Sequence, residues 1–186
     1  GARSKAFLER VERSDAGVLK SAYRVISHNE KMSIELKKLG VGASKIINLG
    51  VFDYLNEKGI RTGVISNNCF SGNALEKLFN RLLPRNKFEF VMASSDYIFR
   101  KPHSLMFDVA LQKSGLTADK VWYCGDSIEA DVYGAKNVGM FPVLYEGRTD
   151  DNTNPFAHQN DNWKIDFEYL HITDLNELID VLERMS

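Results

Sequence analysis

Apolar residues follow extended and helical spacings in turn along most of the chain. Short bulky runs predict buried strands at 62–65, 88–93, 121–124 and 141–144. Apolar residues three or four positions apart predict helices at 46–58, 72–83, 104–114 and 128–137. Strands that alternate with helices in this way are typical of a parallel sheet with crossover helices. The pattern therefore predicts an α/β core over residues 46–186.

The two ends of the chain carry different patterns. Residues 4–40 have helical spacing and no strand is predicted before Thr62, so residues 1–45 are interpreted as a helical, cap-like segment. The alternative is a set of helices that pack on the sheet or on one another. Residues 147–163 predict a loop with His158 on its surface, and 166–172 predict a last strand. A helix is predicted over 174–185, capped by Asp174 and Glu177.

Composition narrows the function classes. Hydrophobic residues make up 44% of the 186 residues, which favours a packed core over disorder. The formal net charge is −1, so the sequence lacks the basic excess that would indicate nucleic acid or an anionic membrane surface as a partner. No apolar run has the length of a membrane span. The two cysteines, Cys69 and Cys124, exclude a disulfide framework and indicate a reducing, cytoplasmic location.

Polar residues follow three of the predicted elements at positions where α/β sheets bind ligands. Asp126 comes directly after the strand 121–124 and Gly125, and its carboxylate suits Mg²⁺. Ser66 and Asn67 follow the strand 62–65, where a hydroxyl and backbone N–H groups can bind phosphate. Lys101 precedes Pro102, which favours an extended lysine that can contact an anion. Taken singly, each of these residues is more simply explained as a cap, a turn residue or a surface lysine.

The order of these residues resembles the haloacid dehalogenase (HAD) superfamily of hydrolases. Ser66 matches the second motif of that family, Lys101 the third, and Asp126 with Asp131 the fourth. The resemblance covers residues 49–182. It implies a three-layer, Rossmann-like core whose active site is closed by a cap. It also implies a Mg²⁺-dependent phosphatase that acts on a small phosphorylated metabolite.

Roles for single residues come with this resemblance. Asp126 is predicted to bind Mg²⁺, and Ser66, Asn67 and Lys101 are predicted to bind the phosphate. Ser66, Lys101 and Asp131 are the predicted catalytic residues, with Asp131 holding either Lys101 or a metal-bound water. In the family, an aspartate attacks phosphorus and forms an aspartyl-phosphate intermediate, which water then hydrolyses.

The first motif of the family, Asp-x-Asp at the end of a first strand, has no match in this sequence. The early aspartates Asp15 and Asp53 neither follow an apolar strand nor have a second Asp two residues later. The motif is therefore expected either to lie outside this polypeptide or to be naturally absent. The family arrangement then implies an apolar slot between the strands that end at Ser66 and Asp126. A separate peptide, a partner subunit or a rearranged sheet would fill it.

Two other function classes remain open at this stage. A non-catalytic module for phosphate binding or protein interaction could use the same scaffold without a nucleophile. A phosphoacceptor domain like a response regulator also combines Asp, Ser and Lys, but its acidic pair should precede the Ser and Lys. Dinucleotide binding is disfavoured because no Gly-x-Gly-x-x-Gly occurs.

Overall fold

The computed structural model describes residues 25–27, 46–48, 50–83, 85–146 and 163–185. The strands in these ranges are β1 (Val25–Ser27), β2 (Ile46–Asn48), β3 (Thr62–Ser66), β4 (Phe88–Ala93), β5 (Trp122–Gly125), β6 (Phe141–Tyr145) and β7 (Leu170–Ile172). The helices are α1 (Gly50–Glu57), α2 (Gly72–Leu82), α3 (Ser104–Ser114), α4 (Gly134–Asn137) and α5 (Leu175–Met185). A π-helical segment, Ile128–Tyr133, leads directly into α4.

The predicted α/β class with parallel strands is confirmed. β1 pairs with β2, β3 with β4, β5 with β6 and β6 with β7, and every pair is parallel. The predicted bounds of β4 and α3 match the structure, those of β3 and β6 differ by one residue at the C-terminal end, and β5 is shifted by one residue at both ends. No helix in the described part of the chain is long and apolar enough to cross a membrane.

The prediction that no strand precedes Thr62 was wrong. β1 and β2 both lie before it, and the helix predicted from residue 46 begins only at Gly50. The two strands consist largely of Val and Ile, whose branched Cβ atoms favour extended backbone over helix. Apart from β1, the cap-like segment 1–45 lies outside the described residues, as does His158. The last strand is also shorter than predicted and covers only Leu170–Ile172.

The helix ends follow local sequence signals. At α2, the Ser71 hydroxyl accepts a hydrogen bond from the Ala74 N–H at 3.3 Å. α3 ends at Gly115, whose φ of 67° lies in the left-handed region that glycine adopts without strain. The predicted cap of the C-terminal helix is confirmed, because Glu177 accepts a hydrogen bond from the Asp174 N–H at 2.9 Å.

The helix predicted over 128–137 begins with a wide turn rather than an α-helix. The N–H groups of Asp131 and Val132 both donate to the Ser127 carbonyl, at 2.9 and 3.2 Å. The second of these bonds spans five residues, which defines a π-type turn. The side chain of Asp131 is directed into the protein, where it binds Lys101 and the Ser127 N–H. The irregular turn is therefore located where a buried carboxylate makes its contacts.

Two clusters of buried side chains hold the core together. The larger joins β4 to α3 and α4 and comprises Met92, Met106, Phe107, Ala110, Ala135 and Met140. The smaller packs Ile128 and Val132 of the π-helical segment on Leu144 of β6. Burial of an Ile, Val, Leu, Phe or Met side chain stabilises the folded chain by about 1.5–3 kcal/mol relative to exposure. These clusters therefore hold β4 and β6 in place against the helices.

A gap separates β3 from β5. Among the described residues, β3 is hydrogen-bonded to β4 and β5 to β6, and the edges of β3 and β5 that face each other are not paired. Between them lies a cavity of about 720 Å³. It is lined by β3, β5 and apolar residues of helices α1, α3 and α5: Val51, Leu55, Ala110, Leu111, Leu178 and Leu182. The predicted apolar slot between these two strands is confirmed.

Candidate active site

The strands β3 and β5, which precede predicted site residues, contact each other near their carboxyl ends. The Tyr123 hydroxyl of β5 lies 3.4 Å from the Ile65 carbonyl of β3. Ser66, the last residue of β3, pairs with Ala93 of β4 and is half-buried beside this contact. Because the strands are parallel, the loops that follow them emerge at the same edge. The edge therefore gathers the second and fourth motifs.

Asn67 connects the loop after β3 to Lys101. Its side-chain Nδ2 donates to the Lys101 carbonyl and its Oδ1 accepts from the Lys101 N–H, both at 2.9 Å. The side-chain amide thus uses one N–H donor and its oxygen acceptor, and both bonds go to the backbone of Lys101. The Lys101–Pro102 peptide bond, directly after this clamp, is cis. Asn67 was predicted to bind phosphate, and its side chain fixes the backbone of the lysine.

Lys101 forms a buried ion pair with Asp131. The Lys101 Nζ atom lies 2.5 Å from Asp131 Oδ1, and the two side chains are only 10% and 4% exposed. The other carboxylate oxygen of Asp131 accepts the Ser127 N–H at 3.0 Å. A buried pair of this kind is stable only when hydrogen bonds satisfy the remaining atoms of both groups. Asp131 thus holds Lys101, which is one of the two partners predicted for it from the sequence.

Two further side chains of β5 lie in a low-dielectric environment. Burial raises the pKa of the Tyr123 hydroxyl well above its usual range, and the nearby Asp131 carboxylate is the second largest cause. Burial is the main cause that raises the pKa of the Cys124 thiol to about 12, and the negative charges of Asp131 and Asp126 contribute in the same direction. The Cys124 side chain is nevertheless open to the cavity between β3 and β5. Both groups are therefore neutral at physiological pH.

Asp126 follows β5 and is exposed at the mouth of the cavity. Within the described residues, no group of three or more His, Cys, Asp or Glu side chains is placed to hold a metal ion. Asp126 lines the cavity, whereas Asp131, which is held by Lys101 and the Ser127 N–H, does not belong to its lining. The edge offers a hydroxyl, a buried ammonium and one carboxylate, a combination that suits a phosphate with a divalent cation.

Gly125 makes this arrangement possible by its lack of a side chain. A Cβ at this position would overlap the carboxyl group of Asp131. The close approach lets the Asp131 side chain reach Lys101 from beneath the end of β5.

We expect Gly125→Ala to lower the free energy of unfolding by about 1–3 kcal/mol, because it forces a well-packed carboxylate aside. Gly63→Ala is the comparison, since its Cβ would meet the end of the Phe90 ring at the margin of the core and no residue of the buried ion pair. Urea denaturation of both variants measures the difference. Equal losses at the two positions would show that Asp131 is not fixed in place.

The family model of haloacid dehalogenase-like hydrolases matches residues 14–144. The chain belongs to this family. The match extends over all three motifs that meet at the candidate site of this HAD hydrolase, and the HAD resemblance proposed from the sequence is confirmed.

Curated relatives of this HAD hydrolase are phosphatases. The glyceraldehyde 3-phosphate phosphatase of Pyrococcus furiosus is 34% identical over 133 residues, which cover 70% of this chain and 50% of the relative. The protein of the same name from Methanocaldococcus jannaschii is 28% identical over 169 residues, 80% of this chain and 69% of the relative. The chain thus spans half the length of the Pyrococcus protein.

Solved structures show the same fold. A HAD phosphatase from Thermococcus onnurineus superposes with a TM-score of 0.55 at 23% identity, covering 81% of this chain and 63% of the other. A putative HAD-hydrolase from Bacillus subtilis, bound to magnesium, gives a TM-score of 0.51 at 19% identity and covers 98% and 81%. At these identities the likeness concerns the fold alone.

Sequence reasoning missed Tyr123 as a residue of this edge. Its hydroxyl contacts Lys101 at 2.9 Å, although the sequence suggests only a bulky residue of a buried strand. The one available signal was its position two residues before Gly125, which places both residues on the same face of the strand.

Proposed function

We propose that this chain forms the substrate-binding part of a Mg²⁺-dependent phosphatase that acts on a small phosphorylated metabolite. The observation that carries the proposal is the buried Lys101–Asp131 pair, which lies against the carboxyl ends of β3 and β5. In this proposal the fixed ammonium acts together with the hydroxyl of Ser66, at the end of β3, and the carboxylate of Asp126, which follows β5. The names of the curated relatives favour glyceraldehyde 3-phosphate or a similar short phosphate ester as the substrate.

Each residue of the edge has a separate task in this proposal. Lys101 balances the charge of the phosphoryl group, and Asp131 holds the ammonium in place. The Ser66 hydroxyl donates to a phosphoryl oxygen. Asn67 holds the lysine through its side chain, so its contact with phosphate would come from its backbone N–H. Phosphoryl transfer depends mainly on such positioning and charge stabilisation.

Mg²⁺ would be bound by Asp126, a carboxylate that lines the cavity directly after β5. One carboxylate suits an ion that usually takes one or two such ligands together with phosphate and water. When bound, the ion would reduce the repulsion between an attacking carboxylate and the phosphate. Within the described residues no group of three or more His, Cys, Asp or Glu side chains is placed around an ion, so tight binding would need ligands from outside them.

The nucleophile would enter on an extended strand in the slot between β3 and β5. Among the described residues neither flanking strand is paired along that edge, so a strand that enters there could hydrogen-bond to both and join them into one sheet. Its side chains should be apolar, to match the cavity wall, with an Asp-x-Asp pair at its carboxyl end beside Lys101. A separate peptide, a partner subunit or another segment of the same polypeptide could supply it.

The proposed chemistry has two steps. A carboxylate oxygen of the first Asp bonds to phosphorus while the bond to the ester oxygen breaks, and the second Asp protonates the departing alcohol. Water then attacks the aspartyl phosphate with the second Asp as base, which releases inorganic phosphate and restores the carboxylate.

A non-catalytic phosphate-binding or protein-interaction module is the second candidate. It is favoured by the absence of Asp-x-Asp from all 186 residues. Such a module would use the same anion site and could receive a partner strand that carries no acidic pair.

Binding of inorganic phosphate and Mg²⁺, measured by calorimetry on the 186-residue chain, tests the site. We expect weak binding of both ligands, with Mg²⁺ binding lost in Asp126→Asn and phosphate binding reduced in Ser66→Ala. Asp119→Asn is the control, because Asp119 belongs to an exposed ion pair with Lys120 at 3.5 Å. Mg²⁺ affinity that survives in Asp126→Asn would contradict the assignment.

A further inference from the structure

The Tyr123 hydroxyl joins three segments that are distant in sequence. It lies 2.9 Å from Lys101 Nζ, 3.3 Å from Asp131 Oδ1 and 3.4 Å from the Ile65 carbonyl. These partners belong to the loop before α3, the π-helical segment and β3. The hydroxyl is buried with them and bridges the gap between β3 and β5 at the carboxyl ends.

The hydrogen-bonding capacity of each group fixes the direction of these bonds. An ammonium can only donate, so the Tyr123 oxygen accepts from Lys101. The single hydroxyl hydrogen then goes to Asp131 or to the Ile65 carbonyl. Of the three Lys101 hydrogens, one is directed at Asp131 and one at Tyr123. The third is the hydrogen with which Lys101 can contact a ligand.

The ring and the hydroxyl of Tyr123 have separable roles. The ring packs edge-on against Phe107, with 5.0 Å between the ring centroids. A phenylalanine would keep this contact and remove only the hydroxyl. The raised pKa of the hydroxyl keeps it protonated, so it can both accept from the lysine and donate onwards.

We infer that Tyr123 is a positioning residue, which fixes the direction of the Lys101 ammonium so that one N–H remains directed at a bound anion. That this anion is a phosphoryl group rests on the proposed function. Asp131 holds the charge of Lys101, while Tyr123 limits its rotation and ties it to the edge of β3.

Nuclear magnetic resonance of the lysine ammonium groups tests the positioning directly. In the chain labelled with ¹⁵N at lysine Nζ, Lys101 should give a slowly exchanging signal because it is buried and held by two oxygens. The signal is assigned by its loss in Lys101→Arg. We expect Tyr123→Phe to shift and broaden it, since the ammonium can then rotate.

Tyr133→Phe is the matched control. It removes a hydroxyl that donates to the Lys164 carbonyl at 2.8 Å and belongs to a different hydrogen bond from those of Lys101. Tyr123→Phe should weaken the binding of inorganic phosphate about tenfold, as expected for a lost hydrogen bond to a charged group, and Tyr133→Phe should leave it unchanged.

The outcomes separate the inference from the proposed function. An unchanged Lys101 signal in Tyr123→Phe, an equal change in Tyr133→Phe, or no slowly exchanging Lys101 signal in the unmodified chain would overturn the positioning role. If the unmodified chain binds no phosphate while the Lys101 signal responds to Tyr123→Phe, the positioning role stands and the proposed phosphate site fails.

Discussion

Asp131→Asn is expected to lower the free energy of unfolding by about 3–5 kcal/mol, because it leaves the Lys101 charge buried without its counterion. The two side chains are 10% and 4% exposed, so water cannot replace the lost carboxylate. Chemical denaturation followed by circular dichroism measures the loss.

The double variant Lys101→Met with Asp131→Asn distinguishes this cause from general disruption. With both charges removed, no unpaired charge remains, and the double variant should be more stable than Asp131→Asn alone. Glu89→Gln provides the comparison on the surface. It breaks an ion pair with Arg61 whose side chains are 48% and 34% exposed, and the unfolding midpoint should change little. An Asp131→Asn variant as stable as Glu89→Gln would contradict the buried-pair interpretation.

The residues at the ends of strands could be predicted from the sequence because their signals are local. An apolar run that stops at Ser66 or at Gly125-Asp126 marks both a strand and its carboxyl end. Parallel pairing then brings such ends to one edge without knowledge of any contact.

The contacts between distant segments could not be predicted in the same way. The side-chain partner of Asn67 lies 34 residues away in Lys101, and the Tyr123 hydroxyl reaches Ile65 across 58 residues. A single sequence carries no record of such pairs. Periodicity also failed to predict the π-type turn at Asp131, since an α-helix and this turn place much the same residues inward. It failed at β1 and β2 as well, because runs of three residues are too short to define a period.

An apolar strand that ends in Asp-x-Asp should occupy the slot between β3 and β5 and protect Cys124 from alkylation. Cys124 lines this cavity, and a strand between β3 and β5 would cover it. Joined to the chain or added as a peptide, the strand should slow alkylation of Cys124 by on the order of tenfold or more. Mass spectrometry of the labelled peptides reports both cysteines, and the exposed Cys69 is the internal control.

The pH dependence of the same reaction provides a second check. Only the thiolate reacts, and the raised pKa of Cys124, about 12, keeps the thiol protonated over the usual pH range. In the absence of the strand, its alkylation rate should therefore increase about tenfold per pH unit between pH 8 and 10. A strand with lysines at alternate apolar positions should not protect. Equal reactivity of Cys124 with either strand or none would show that the slot does not accept one.

Phosphatase turnover with and without this strand tests the central claim most directly. With Mg²⁺ and a panel of short phosphate esters, the 186-residue chain alone should show no measurable turnover. The chain that carries the strand should turn over on the order of 1–10 s⁻¹. Replacement of the first Asp in the Asp-x-Asp pair of the added strand by Asn should abolish this activity while Cys124 remains protected. Turnover by the 186-residue chain alone, lost in Asp126→Asn, would contradict the account, because another carboxylate would then serve as the nucleophile.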